Sequence, residues 1–232
     1  MSEEVLLFEV WWEEVHDFLV VHGSHLERRL VDADAVGVRQ EAIAGGLDLI
    51  PIRAENCYPI PDEMTYAEAA LLEPLAIALH GIGQAQPIAG RRLLITGAGP
   101  IGQLIGLVAR HYGAAHLAVS DIRADALDLA AMLWADQPLR ADDTDALTAA
   151  AVTGFDAVIE ASGAPAALTA AYHHCRAGGT IVQLGVQPGP VELPVNLIMS
   201  KELNVRGSFR FAHVFADALD LMARRQLDIA PL

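Results

Sequence analysis

Lysine is almost missing from this chain of 232 residues: Lys201 is the single one, so lysine-based chemistry has one candidate. Cysteine is scarce as well. Cys57 and Cys175 are the only two, too few for a disulfide framework or a cysteine-built zinc site. No run of about 18 apolar residues occurs, as a membrane span would need. No basic segment precedes an apolar core at the start, as a secretory leader would require. Positive charge is also short, with 15 Lys and Arg against 30 Asp and Glu and a net charge of −15. That balance leaves nothing to build the basic face that nucleic-acid phosphates demand. These absences lead to the expectation of a cytoplasmic globular protein with no nucleic-acid and no membrane partner.

What is present is a glycine run in an informative setting, Gly97-Ala98-Gly99-Pro100-Ile101-Gly102. Before it, Leu93-Leu94-Ile95-Thr96 reads as a buried strand. After it, Ile101, Leu104, Ile105, Val108 and Tyr112 recur at helical spacing, and Gly113 offers a stop. A second apolar run, Leu117-Ala118-Val119, ends at Ser120-Asp121. Strand, glycine turn, helix, strand and acid make the dinucleotide-binding βαβ unit. Gly97 permits the tight turn, and Gly99 lets a pyrophosphate approach backbone N–H groups at the helix start. Gly102 allows close packing of helix on sheet, and Pro100 suits the first helical turn. The helix dipole favours the phosphates. Asp121 is placed to accept hydrogen bonds from an adenosine ribose and to repel a 2′-phosphate, so the expected cofactor is NAD.

An α/β alternation runs on from there. A helix is expected with Leu127, Ala130, Ala131 and Trp134 buried, then a polar stretch from Arg140 to Asp145 and a short helix. Ala157-Val158-Ile159 reads as a strand, followed by a helix from Pro165 to Gly178-Gly179. Strands at Thr180–Leu184 and Leu203–Phe209 and a last helix through Phe215, Leu219 and Met222 complete the pattern. Such alternation predicts a doubly wound parallel sheet, a Rossmann dinucleotide-binding domain, with an incomplete N-terminal appendage. Ligands of such sheets lie beyond the carboxyl ends of the strands. Gly163 and Gly185 then border the same crevice as Gly99.

From about Gly45 onward the chain resembles the medium-chain, zinc-type alcohol and polyol dehydrogenases. The segments that carry the likeness are Asn56-Cys57-Tyr58-Pro59-Ile60-Pro61, Ala70-Leu71-Leu72-Glu73-Pro74-Leu75 and the glycine run. With them stand Ile159-Glu160-Ala161-Ser162-Gly163 and Lys201-Glu202-Leu203 through Gly207-Ser208-Phe209-Arg210. Leu193-Pro194-Val195-Asn196 with Phe209-Arg210 is similar to the sorbitol and L-idonate 5-dehydrogenase branch. The resemblance implies oxidation of a secondary alcohol to a ketone, with a small polyol or sugar acid as substrate. It implies that Glu73 lies near the catalytic zinc and its water, as a catalytic and metal-site residue. Ser162, Gly163, Leu184, Gly185 and Val186 match cofactor contacts. Ser208, Phe209 and Arg210 match a segment touching the nicotinamide, with Arg210 also suited to a substrate carboxylate or hydroxyl by its planar donor fork. A branch arginine that touches the adenosine is Ala126 here, and Arg123 stands in reach of the same role. Relatives dimerise through the edge strand near 203–209, which implies a homodimer or higher homo-oligomer.

The departures concern the zinc half. No Gly-His-Glu occurs and no cysteine precedes Cys57, so the resemblance leaves the zinc site incomplete. The expected division is an unmatched segment 1–44, a substrate-domain remnant with connecting helix 45–86, and the NAD-binding domain 87–232. In the first segment Val5, Phe8, Trp12, Val15 and Leu19 suit an acidic amphipathic helix, and His22-Gly23-Ser24-His25 places two imidazoles at helical spacing. Two other classes stay open: a non-catalytic NAD-binding module, and an S-adenosylmethionine-binding fold. The latter usually sets an acid before the glycine run, where this chain has Ile95-Thr96.

Overall fold

The structure, a computed structural model, describes residues 57–232 and four short strands of the preceding chain. Two compact units divide it, residues 1–70 and 71–232. The first holds strands β1 (Leu19–His22), β2 (Leu26–Glu27), β3 (Ala35–Arg39), β4 (Leu49–Arg53) and β5 (Cys57–Ile60). β1 runs parallel to β5, while β2, β3 and β4 make an antiparallel sheet. Leu19 and His22 therefore open and close a strand rather than continue a helix, as the β-branched pair Val20-Val21 favours. Val5, Phe8, Trp12, Val15 and His25 lie outside the described residues. Helix α1 (Tyr66–Ala69) opens on a capping box. In it Thr65 Oγ1 accepts from the Glu68 N–H at 3.2 Å, and the Glu68 carboxylate accepts from the Thr65 N–H at 2.8 Å.

The second unit is a six-stranded parallel sheet. Its strands are β6 (Arg92–Thr96), β7 (His116–Asp121), β8 (Gln137–Arg140), β9 (Phe155–Glu160), β10 (Cys175–Gln183) and β11 (Asn204–Gly207). They stand in the order β8-β7-β6-β9-β10-β11, the doubly wound arrangement, with its switch point between β6 and β9. The helices are α2 (Leu72–Gln84), α3 (Pro100–His111), α4 (Ala124–Leu133), α5 (Thr144–Ala150), α6 (Pro165–His174), α7 (Val195–Ser200) and α8 (Phe215–Ala223). Both faces of the sheet are covered, so Leu93, Leu94 and Ile95 are all fully buried. Leu94, Ala118, Val158 and Ile181 pack with Leu147 of α5 and with Leu168 and Tyr172 of α6. On the other face α3 packs beside α2, and α2 beside α8.

Close packing explains one glycine of α3, and a second glycine explains its ending. A Cβ on Gly106 would come within 2.2 Å of the Trp134 ring. The helix stops where Gly113 takes φ +81°, and the Ala114 N–H reaches back to the Ala109 carbonyl in a Schellman closure. Tyr112 follows the last turn and is exposed, and Ala131 is exposed too, its expected place taken by Ala126. β8 falls where the sequence suggests only a polar connection, because Leu139 alone of its four residues is buried and Pro138 suits an edge. α6 ends at His174, four residues before Gly178. There Lys201 Nζ donates to the carbonyls of Tyr172, His173 and Cys175 at 3.1, 2.8 and 2.8 Å. The chain's one lysine is a helix cap.

Candidate functional site

The carboxyl ends of β6, β7, β9, β10 and β11 bring together most of the residues singled out above. Gly97 has φ +96°, and a Cβ there would sit 2.9 Å from the Ser162 nitrogen. The glycine turn thus lies directly against the turn that follows β9. Gly99 caps α3, Pro100 takes the first helical position, and Ile101 follows half-buried. A Cβ on Gly99 would meet nothing within 4 Å, so backbone N–H groups at this helix start are open to an incoming anion. At Gly102 a Cβ would lie 1.9 Å from the Gly97 carbonyl oxygen. That glycine is required by the turn itself more than by helix–sheet packing.

Asp121 holds this turn from the next strand. Its Oδ2 accepts from the Ala98 N–H at 2.7 Å and its Oδ1 from the Arg123 N–H at 2.8 Å. The Arg123 guanidinium is engaged with Asp125. Across the sheet Arg140, opposite Asp121 in register, is engaged with Asp142 at 2.7 Å. The two cations near the acid are therefore each matched by a neighbouring carboxylate.

On the other side of the switch point the organising group is Glu160, paired in register with Thr96 of β6. Its side chain is fully buried and is the only charged one so buried among the described residues. Oε1 accepts from the Ser162 N–H at 2.8 Å, the Ser162 hydroxyl at 2.5 Å, the Gly163 N–H at 3.0 Å and Thr96 Oγ1 at 3.5 Å. Oε2 accepts from Gln183 Nε2 at 2.9 Å and Gln187 Nε2 at 3.4 Å. Its backbone carbonyl takes the N–H groups of Leu184 and Gly185. Gly163, at φ +68°, leaves its missing Cβ position 2.6 Å from the Val186 carbonyl. Leu184 lies over Gly81 of α2, where a Cβ would stand 2.7 Å from Leu184 Cδ2.

Ser208, Phe209 and Arg210 follow β11, and the Ser208 N–H donates to the Gln183 carbonyl at 2.9 Å. Phe209 is 75 % exposed with the Arg210 guanidinium 5.3 Å from its ring centre. Arg210 adopts φ +56°, a left-handed conformation that costs a non-glycine residue about 1–3 kcal/mol and tends to mark functional sites. Glu73, in the first turn of α2, is exposed at the surface, with its carboxyl set partly against the protein. Burial raises its carboxyl above the usual range, and the charge of Arg210 opposes that rise. Glu73 thus lies within the electrostatic reach of Arg210, although 137 residues separate them in the chain.

A catalytic zinc needs three converging protein ligands. Among the described residues no group of three or more His, Cys, Asp or Glu side chains converges, and the charge that acts on Glu73 is the cation of Arg210. The described residues do not fit such an ion. His173 is exposed and His174 half-buried at the end of α6, and burial pushes the Cys175 thiol up to about 11, which leaves it inert.

Two residues that organise the site carry little signal in the sequence. Glu160 stands there as the polar end of an apolar strand, inside a segment that resembles known dehydrogenases but with no role indicated for it. Gln103 is buried in α3, where Nε2 donates to the carbonyls of Ala98 and Ala126 at 3.0 and 2.9 Å. Its Oε1 accepts from the Trp134 indole at 2.8 Å. A polar residue amid the apolar positions of α3 is the one available signal.

Comparison with known proteins agrees with this geometry. Residues 100–224 match the zinc-binding dehydrogenase family. D-xylulose reductase of Saccharomyces cerevisiae is 35 % identical over 75 % of this chain and 51 % of its own length. Sorbitol dehydrogenase of Gallus gallus is 33 % identical over 77 % and 52 %. Among solved structures, L-idonate 5-dehydrogenase of Escherichia coli superposes with a TM-score of 0.74 at 33 % identity, covering 80 % of this chain and 54 % of that one. A Sinorhizobium meliloti zinc-binding dehydrogenase bound to NADP gives 0.76 at 31 %, over 79 % and 56 %. An Escherichia coli CFT073 short chain alcohol dehydrogenase complexed with NADH gives 0.74 at 26 %, over 83 % and 58 %. The chain spans about half the length of the curated relatives it matches. With its doubly wound sheet, glycine turn and strand-end acid, it belongs to the zinc-binding dehydrogenase family.

Proposed function

We propose that this chain supplies the nicotinamide-binding part of an NAD-dependent dehydrogenase that oxidises a secondary alcohol of a polyol or sugar acid to a ketone. The observation that carries this reading is Asp121, a strand-end carboxylate fastened to the N–H of Ala98 inside the glycine turn. One lone-pair side of each oxygen remains for ribose hydroxyls, and its charge disfavours a 2′-phosphate. Arg123 and Arg140 are already matched by Asp125 and Asp142, which supports NAD over NADP. Gly97, Gly99, Pro100, Ile101 and Gly102 form the pyrophosphate cradle. Ser162, Gly163, Leu184, Gly185, Val186, Ser208 and Phe209 line the nicotinamide side. When bound, NAD supplies the carbon that accepts hydride. Arg210 orients the substrate's carboxylate or hydroxyls, and Glu73, its carboxyl raised by burial, holds or takes up a proton beside it. No step is assigned to a metal.

Titration of the purified chain with NADH and with NADPH, followed by nicotinamide fluorescence, tests the cofactor reading. Saturable binding that favours NADH is expected, with the preference narrowed in Asp121→Ser; equal affinity for both cofactors would sink the role given to Asp121. A second reading, a cofactor-binding module without alcohol oxidation, is favoured by the lack of converging metal ligands among the described residues. NADH binding with no turnover on a polyol and sugar-acid panel selects it.

The edge strand β11 is the proposed site of self-association. All four of its residues are exposed, as an unpaired edge requires for joining a copy of itself. The Ser208 N–H faces β10, so alternation turns the N–H of Val205 outward. Val205→Pro should lower the sedimentation coefficient to that of a single chain; an unchanged profile rules this edge out.

A further inference from the structure

Glu160 has no role of its own in the reading above, although it hydrogen-bonds to several residues that do. It touches neither the glycine turn's open face nor the Glu73–Arg210 pair, yet it is the only fully buried charge among the described residues. A charge in such a place is tolerated when hydrogen bonds surround it. Every polar group that reaches its carboxylate is an N–H donor or a hydroxyl, which suits an acceptor-only carboxylate. The donors come from two loops and a neighbouring strand: Ser162 and Gly163 after β9, Gln183 and Gln187 around the end of β10, and Thr96 on β6. Those loops press on the same group. A Cβ on Gly185 would lie 2.2 Å from the Gly163 nitrogen and 2.5 Å from Glu160 Oε2.

We propose that Glu160 is the positioning residue of the nicotinamide half of the crevice, its carboxylate fixing the 162–163 and 184–187 loops against each other. The inference rests on the cofactor reading given above. A second observation points to the ligand those loops would meet. Three buried polar atoms near the carboxyl ends of β10 and β11 have no hydrogen-bond partner: Gln183 Oε1, Gln187 Oε1 and Ser208 Oγ. Glu160 engages the amide N–H groups of both glutamines and leaves their carbonyl oxygens over. Two acceptors and a hydroxyl, each closed from solvent in this structure, are the kinds of group a primary carboxamide would pair with once these loops part, and that carboxamide distinguishes a nicotinamide ring from the rest of the dinucleotide. The adenosine side, built on Asp121 and the glycine turn, shares no hydrogen bond with Glu160.

The separation of the two sides gives the test. Calorimetric titration of the full chain with NADH and with ADP-ribose, which lacks the nicotinamide, compares the wild type with Glu160→Gln. The amide introduced by that substitution would oppose a donor to the donors of Gln183 and Gln187. The expected result is NADH affinity reduced about tenfold or more, near 1.4 kcal/mol, with ADP-ribose affinity within about twofold of the wild type. Equal loss of both ligands would make Glu160 a structural residue and overturn the proposal, as would NADH binding unchanged. Gln187→Leu removes one donor from a surface loop and keeps the test available if Glu160→Gln does not fold. It should weaken NADH selectively, and equal affinities in that variant count against the proposal in the same way. Failure of the wild type to bind either ligand overturns the cofactor reading itself, a different result from wild-type binding that Glu160→Gln leaves intact.

Discussion

From β6 to β8 the proposed dinucleotide site is built mainly of backbone, a glycine turn and a helix start, with one acid side chain, Asp121, at the end of the neighbouring strand. From β9 to β11 it relies on a buried side chain, Glu160, around which two loops are wrapped. The first half keeps open space where a phosphate approaches, and a Cβ on Gly99 meets nothing within 4 Å. The second half has none to spare, and a Cβ on Gly185 meets backbone at 2.2 Å. Backbone recognition suits a group common to all dinucleotides, the pyrophosphate. Side-chain recognition suits the reactive end, where position decides whether hydride can transfer.

The largest expected effect separates these halves by stability. Gly185→Ala must push the 162–163 loop or the Glu160 carboxylate aside, because the atoms in its way are backbone and a fully buried acid. A cost of about 1–3 kcal/mol is expected, equivalent to roughly 2–4 °C of melting temperature per kcal/mol in a chain of this size. Differential scanning calorimetry checks it. A melting temperature equal to wild type would mean the two loops are not packed as described. Next comes Gly99→Ala, whose new methyl enters open space at an ordinary φ of −67°. Stability should stay within about 0.5 kcal/mol, while NADH affinity falls about tenfold because the backbone is no longer approachable. Loss of stability without loss of affinity would reverse the assignment of this turn.

The same contrast explains what could be read from the chain alone. Gly97 to Gly102, the helix after them and Asp121 lie within 25 residues of one another, and local chemistry dictates each. Their architecture was legible down to the stop at Gly113. Glu160, by contrast, draws its partners from Thr96, Ser162, Gln183 and Gln187, at separations up to 64 residues. Nothing within its own strand says that an acid there will be buried. β8 escaped for a different reason: an edge strand with one buried residue and a proline carries almost no periodic signal. The influence of Arg210 on Glu73 is longer-ranged still. The resemblance to known dehydrogenases placed both residues at one zinc-centred site, while nothing in either local sequence tied them together.

The smallest effect concerns the two carboxyls of the crevice, and it sharpens the comparison chemically. Glu160 has its charge answered by hydrogen bonds on both oxygens. Glu73 is exposed at the surface, and its charge is answered in part by Arg210 while the partial burial of its carboxyl pushes it up. A group whose folded value lies above its unfolded one stabilises the fold fully below the unfolded value, and loses that contribution as pH rises through the folded one. Glu73 should therefore weaken the chain slightly at neutral pH relative to Glu73→Gln, and the difference should close as pH falls toward about 4, the ordinary carboxylate range. Paired melting curves of wild type and Glu73→Gln across that interval measure it. A difference that does not change with pH would mean that Arg210 fully offsets the burial of Glu73. Glu73 would then act as the settled counter-charge of Arg210 rather than as an acid poised to exchange a proton.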